Sequence, residues 1–273
     1  MRVIRRGLLR PNLSSPESTT YTMSENFQTY SRYYDLLSQD KDYAGEVEYV
    51  HRTIQENNPG ARRLLEFGSG TGGHARLLVE RGYEVVGIEK SPEMARLANS
   101  KIDNEHFRSV VGDIAGIRLN ESFDAVVALF HVISYQTSND QLMSVFRNAQ
   151  LHLCEGGIFL FDAWYTPAVL KQKPQVRVKR VEDERIKVIR IAEPEDHSHE
   201  NVVDVKYHLL IRDRKSGEVE EFHEVHPMRH FSIPEISLLA SLTGFILLRA
   251  EEWMSASPPT QDTWGVCFIL RKA

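Results

Sequence analysis

Apolar and polar positions along the chain change period twice, and the changes divide it. Over residues 61–165, short apolar runs of strand length alternate with helix-period stretches, predicting strands at 63–67, 84–88, 107–111, 124–129 and 157–162 and helices at 72–81, 91–101 and 139–153. Strand and helix in alternation predict a doubly wound parallel sheet, an α/β fold. Between Asp162 and Ser232 the pattern becomes long period-2 segments, Val176–Val181, Ile186–Ile191, Val202–Arg212 and Val219–His230, joined by polar turns such as Arg214-Lys215-Ser216-Gly217. These predict antiparallel hairpins. The first rhythm resumes with helix Ile233–Leu242, a stop at Gly244, strand Phe245–Ala250 and, beyond a proline-containing loop, strand Gly265–Arg271.

Upstream of this, a helical pattern begins at Phe27, with Tyr30, Tyr33, Tyr34, Leu36 and Leu37, and an amphipathic run reaches Ile54. The first 22 residues carry four arginines, one glutamate and a Pro/Ser/Thr-rich stretch without period, which predicts disorder. Met23 is a second candidate start, and a targeting peptide is the less favoured reading of the arginines. The expected organisation is a tail over 1–24, a helical lid over 25–60, a core over 61–165, an antiparallel insertion over 166–231 and the rest of the core over 232–273.

Composition narrows the class. With 273 residues, 41% of them hydrophobic, the chain can bury one large core. A net charge of -5 offers no basic patch for a nucleic-acid backbone, so a small-molecule substrate is expected. Only Cys154 and Cys267 are present, which predicts no disulfide framework and a reducing, cytoplasmic setting. No apolar run approaches the roughly 20 residues that span a bilayer.

The chemistry begins in Leu64-Leu65-Glu66-Phe67-Gly68-Ser69-Gly70-Thr71-Gly72, a strand that gains an acid and breaks into a glycine turn before a helix. Gly68, Gly70 and Gly73 also satisfy the pattern that cradles a dinucleotide pyrophosphate. Glu66 opposes that reading, because a carboxylate near the crevice repels pyrophosphate and attracts a cation such as an amino-acid ammonium. Further acids follow at strand ends: Glu89, seventeen residues past Gly72 and followed by Lys90, and Asp113 with Ile114 beside it.

This series resembles the class I S-adenosylmethionine-dependent methyltransferases. The resemblance implies a mostly parallel, seven-stranded Rossmann-like sheet with the antiparallel insertion between strands five and six. It also implies S-adenosyl-L-methionine as cofactor, leaving as S-adenosyl-L-homocysteine, with Glu66, Gly68, Gly70, Gly72, Glu89, Lys90, Met94, Asp113, Ile114 and Leu129 as its binding residues. Glu89 would accept the ribose hydroxyls, Met94 and Ile114 would lie against adenine, Asp113 would accept from the adenine amino group, and the residues after Leu129 would meet the methyl-bearing end.

A narrower resemblance, to nucleotide-linked amino-sugar N,N-dimethyltransferases, rests on Tyr33-Tyr34-Asp35-Leu36-Leu37 with Lys41-Asp42-Tyr43, Gly70-Thr71-Gly72-Gly73-His74, Asp162-Ala163-Trp164-Tyr165-Thr166-Pro167, and Glu224-Val225-His226 before Phe231. It departs at one position, since a histidine usual a few residues after strand four is replaced by Tyr135. His131, Tyr135 and His226 are therefore the candidate catalytic groups, and Tyr33, Trp164, Tyr165, Glu224 and Arg229 the candidate substrate contacts. Alternation puts Glu224 and His226 on one strand face and Arg229 on the other. Bland readings stand beside these: Trp164 as a pocket wall, Tyr33 as a packing residue, His226 as a structural histidine, His74 as packing or capping. No metal is expected, because His197 and His199 fall in a charged turn and His226 and His230 lie about 13 Å apart by strand rise. O-methylation, rearrangement of the cofactor itself and a catalytically idle binding module remain as alternative functions, and a homodimer is expected from the exposed sheet edge.

Overall fold

The computed structural model describes residues 33–273. The tail expected over 1–24, and the lid before Tyr33, lie outside the described residues. A helical segment over 33–37 leads to α1 (Tyr43–Asn57), whose first free N–H groups include that of Gly45, which donates to the Asp42 side chain at 2.9 Å.

The core then runs β1 (Arg63–Phe67), α2 (Gly73–Glu80), β2 (Glu84–Glu89), α3 (Pro92–Lys101), β3 (Phe107–Val111), β4 (Phe123–Ala128), a 3₁₀ turn (Val132–Tyr135), α4 (Asn139–His152) and β5 (Leu153–Trp164). Later elements are α5 (Thr166–Gln172), β6 (Arg177–Glu182), β7 (Ile186–His197), β8 (Val202–Asp213), β9 (Val219–Arg229), α6 (Ile233–Leu242), β10 (Phe245–Glu252) and β11 (Gly265–Lys272).

Seven strands form one sheet in the order β10-β11-β5-β4-β1-β2-β3, with β1 to β5 parallel and β11 antiparallel to both neighbours. Its strands alternate between two buried clusters: Leu65, Phe67, Val126 and Phe159 pack on one face, Leu64, Ala125, Val127 and Leu160 on the other. Both faces are thus covered, as a parallel sheet requires. The chain moves outward from β1 to β3 and then returns to the other side of β1 as β4. A crevice opens where the order reverses, beyond the carboxyl ends of β1 and β4, and ligands bind there in open α/β sheets.

β6 to β9 form a second, antiparallel sheet. Its entry and exit are joined to each other: Phe231 N–H donates to Trp164 O and Thr166 N–H to Phe231 O, both at 2.9 Å. An apolar cluster of Val169, Val203, Val205 and Met228 with Tyr135 and Trp164 then holds this sheet over the crevice.

Two elements differ from expectation. α5 forms where hairpin alone was expected, because Pro167 sits in its first turn and Ala168 and Val169 are buried. β7 continues past Ile191 through Pro194 to His197. Its pairing with β6 ends at Ala192, so Pro194 lies where the strand has a neighbour on one side, a position that tolerates a missing N–H.

Candidate active site

The glycine turn after β1 is shaped by backbone that side chains oppose. Gly68 has φ 68°, and a Cβ there would lie 2.5 Å from Val132 Cγ2, so the turn packs directly against the segment after β4. Gly70 has φ 54° and lines a cavity of about 630 Å³, and a Cβ on it would meet no protein atom within 4 Å. Gly70 N–H donates to Glu89 Oε2 and Ser91 N–H to Glu89 Oε1, each at 2.8 Å. Burial raises the Glu89 carboxyl above its usual range, against these backbone donors. Asp113 accepts from Ala115 N–H at 2.9 Å and from Lys90 Nζ at 3.1 Å. Burial acts to raise its carboxyl, and those two donors outweigh it and hold the group low. Met94, Ile114 and Leu129 supply apolar wall between these acids.

Glu66 and Gly72 lie behind the cavity wall. Glu66 is 1% exposed, and its Oε2 is enclosed without a hydrogen-bond partner. Burial, reinforced by the Glu89 charge, pushes its carboxyl up to about 8. A buried acceptor left unmatched, beside a glycine turn open to a ligand, fits the ammonium of an amino acid. Together with the carboxylate at the end of β2 and the apolar wall, these residues fit S-adenosylmethionine.

Beyond β4 the chain turns sharply, with Phe130 at φ 65° and His131 at φ 64°. Strain at two consecutive residues is characteristic of sites where side chains are held for a ligand. His131 N–H donates to Asp162 Oδ1 at 3.2 Å, and its Nδ1 lies 2.7 Å from Asp162 Oδ2, an ion-pair approach rather than an aligned hydrogen bond. Asp162 is buried, which would raise its carboxyl, and the His131 contacts prevail and lower it. Lys41 stands 4.2 Å from the Phe130 ring centroid. Trp164 forms the wall beside His131, with ring centroids 6.1 Å apart.

The second sheet closes the far side. Tyr135 Oη lies 3.0 Å from His226 Nδ1, and His226 Nε2 lies 3.1 Å from Glu224 Oε2. A carboxylate facing Nε2 favours the proton there, leaving Nδ1 to accept from the tyrosine hydroxyl. Tyr135 and His226 both line the cavity, with Glu224 behind them. The Tyr207 ring lies against His226 at 4.7 Å between centroids, tilted by 49°, and the Arg190 guanidinium lies 4.7 Å from the Tyr207 ring.

Of the expected substrate contacts only Trp164 is on the wall of this cavity; Glu224 lies behind it, and three others point elsewhere. Tyr33 packs against Val188, Leu209 and Ile211, and Tyr34 lines the cavity instead. Tyr165 precedes α5 and packs on the core. Arg229 points to Thr137 O, Asn139 Oδ1 and Glu235 Oε1 at 3.2, 2.8 and 2.6 Å, tying β9 to the starts of α4 and α6.

Residues 64–157 match the family model described as "Methyltransferase domain". Those residues form a methyltransferase domain, and the enzyme is an S-adenosylmethionine-dependent methyltransferase. It is 26% identical over 215 residues to the dTDP-3-amino-3,4,6-trideoxy-alpha-D-glucopyranose N,N-dimethyltransferase of Streptomyces venezuelae, covering 77% of this chain and 87% of that one. The sugar N-methyltransferase KedS8 of Streptoalloteichus sp. ATCC 53650 superposes with a TM-score of 0.75 at 25% identity, over 95% of this chain and 98% of that one. CalS10, an amino pentose methyltransferase from Micromonospora echinaspora solved with S-adenosylmethionine bound, superposes with a TM-score of 0.71 at 24% identity, over 90% of this chain and 98% of that one.

Sequence reasoning on this methyltransferase missed the cavity-lining side chains Gln141, Arg177, Arg190 and Trp264. Arg190 and Arg177 sit on paired strands that bring two charges to one wall, a signal that needs the strand register. Among the described residues, His208, Glu221 and His223 bring ligand-type atoms within 4.8 Å of one another. They form a solvent-facing rung of the β8–β9 hairpin, outside the cavity wall, where charged ladders are ordinary.

Proposed function

We propose that this methyltransferase transfers methyl groups to the amine of a nucleotide-linked amino sugar. The observation that carries the reading is one continuous cavity whose wall includes Glu89 and Asp113 at one end and Tyr135 and His226 at the other. S-adenosylmethionine, when bound, would supply a sulfonium methyl whose carbon a nitrogen lone pair can attack in line, the C–S bond breaking so that S-adenosylhomocysteine leaves. The chain's own part is to hold the amine, keep water out and accept a proton.

Tyr135 and His226 suit that last task. A substrate ammonium can give its proton to the Tyr135 oxygen as the tyrosine O–H passes to His226 Nδ1, and Glu224 stabilises the resulting imidazolium. Trp164, Trp264 and Tyr207 offer flat apolar surface for a sugar ring. Arg177, Arg190 and Lys173 bring positive charge to the insertion side of the cavity, suited to a diphosphate. The S. venezuelae relative acts, by its name, on a dTDP-linked amino sugar.

The reading extends to location and assembly. Cys154 and Cys267 are both free thiols, in keeping with a reducing cytoplasm, and no helix among the described residues is long and apolar enough to cross a membrane. The outer strand β6 exposes Val178, with Val176 exposed just before it, and we place a homodimer contact along that edge. Light scattering tests it, and a monomer at micromolar concentration removes it.

Mass spectrometry of reactions with S-adenosylmethionine and a panel of dTDP-linked amino sugars, beside amine-free and phenolic controls, tests the substrate. Additions of one and then two methyl groups to an amino sugar are expected. Methylation confined to the phenols, or of no member of the panel, would contradict the reading.

A further inference from the structure

The cofactor cradle is backed by a buried chain of charged groups that the methyl-transfer reading leaves unused. His74, the second residue of α2, is 7% exposed, and its imidazole lies between two carboxylates from different elements. Its Nε2 is 2.7 Å from Glu46 Oε2 on α1, and its Nδ1 is 3.7 Å from Glu66 Oε1 on β1. Lys41 pairs with the other oxygen of Glu46. Tyr43 of α1 packs edge-on against the imidazole at 4.8 Å. Among the described residues, Glu46, Glu66 and Tyr43 face His74, Lys41 acts through Glu46, and Glu89 acts on Glu66 through its charge.

The groups differ in what they can hold. Burial would raise Glu46, and contacts from His74 and Lys41 reverse this and keep it ionised. Glu66 has no such donor on Oε2, and burial leaves it protonated at neutral pH before a cation arrives. An ammonium ligand therefore meets a neutral acid and requires a carboxylate, so one proton must leave a site from which water is excluded.

We propose that His74 is a positioning residue for the cofactor's amino-acid end, receiving the Glu66 proton when the ammonium binds. The Glu66 O–H bond breaks and an Nδ1–H bond forms, while Nε2–H continues to donate to Glu46. Glu66 then faces the ammonium as a carboxylate, and an imidazolium rests between two carboxylates. Total charge in the site is unchanged apart from the ligand's own. His74 thereby couples α1, the described part of the expected lid, to cofactor occupancy. The proposal rests on the assignment of Glu66 to the ammonium and is independent of the methyl acceptor.

Calorimetric titration of the full chain with S-adenosylhomocysteine, in buffers of different ionisation enthalpy, counts the protons exchanged. The wild type is expected to release fewer protons at pH 7 than a variant without the imidazole, and to show the shallower rise of affinity with pH. His74→Gln is expected to release about one proton and to gain roughly tenfold in affinity per pH unit from about pH 6 to 8, since Glu66 must then deprotonate into solvent. Equal proton counts and equal pH slopes in the two proteins would overturn the proposal. Failure of the wild type to bind would overturn the cofactor assignment with it. Nitrogen-15 spectra of the wild-type imidazoles provide a second reading that needs no variant. Conversion of His74 from a neutral ring to imidazolium on addition of S-adenosylhomocysteine supports the transfer, and a ring whose protonation state does not change refutes it.

Discussion

Glu89 is held by two backbone N–H groups before any ligand arrives, and one of them belongs to the glycine turn. Its removal therefore takes away the carboxylate proposed to accept the ribose hydroxyls and also frees the Gly70 N–H of the glycine turn. We expect Glu89→Ala to weaken S-adenosylhomocysteine binding by at least tenfold, since losing a charged hydrogen-bond partner costs about 1.5–3 kcal/mol. Calorimetry checks this, and a change within twofold would remove the ribose assignment. The opposite split is expected at the other end. Tyr135→Phe and His226→Ala should each lower kcat, by about 10²-fold if proton removal limits turnover, and leave cofactor affinity within twofold. Steady-state kinetics paired with calorimetry separates these effects, and unchanged turnover in both variants would place the chemistry elsewhere. The acids at strand ends were legible because they depend on local spacing from a glycine turn. Glu224 beside His226 was legible because strand parity sets it, and the same parity puts Arg229 on the other face. The Tyr135–His226 contact was not legible, since it joins residues 91 positions apart through the docking of two sheets. Tyr33 and Tyr34 show the same boundary: a helical pattern marks both as apolar-faced, and only tertiary packing decides which meets the cavity.

At the scale of elements, the insertion is anchored where it leaves and rejoins the core. His230 lies at that junction, fully buried, with Nδ1 2.9 Å from Thr166 Oγ1. Burial pushes its imidazole down to about 4, with Asp196 opposing and the Arg229 and Lys173 charges assisting. Its folded value is depressed below the ordinary 6.5 of the unfolded chain, so its contribution to stability is complete above pH 6.5 and is lost as pH falls toward 4. We expect about 2 kcal/mol less stability at pH 5 than at pH 7.5 from this residue. Denaturant unfolding of the wild type and His230→Gln at the two pH values checks it. The variant should lose less on acidification, and equal losses would contradict the assignment. The elements hardest to read were those set by context. α5 has too few apolar positions to show a helical period in seven residues. The second half of β7 carries Glu193, Pro194, Glu195 and Asp196, a composition that reads as a turn until β8 is seen opposite.

At the scale of the molecule, a widespread cofactor-binding sheet carries a second sheet that sets what else can enter. The doubly wound, parallel character of the sheet followed from alternation of strand and helix, its seven strands were implied by the resemblance to a known family, and their order was set only by the fold. The angle at which the insertion sits followed from nothing local. It depends on the joined strand ends and on the apolar cluster beneath it, and for that reason the substrate wall was the least legible part of the chain. Glu89 and Asp113, and the Tyr135–His226 pair, line the same cavity. The most direct measurement is a single-turnover reaction with S-adenosylmethionine labelled with carbon-13 at the methyl group and a dTDP-linked amino sugar, followed by carbon–proton correlation spectra of the product. The label is expected on the sugar nitrogen, appearing at the wild-type rate and much more slowly with His226→Ala. Label on a hydroxyl oxygen, or transfer to nitrogen at the same rate in both proteins, would contradict the account.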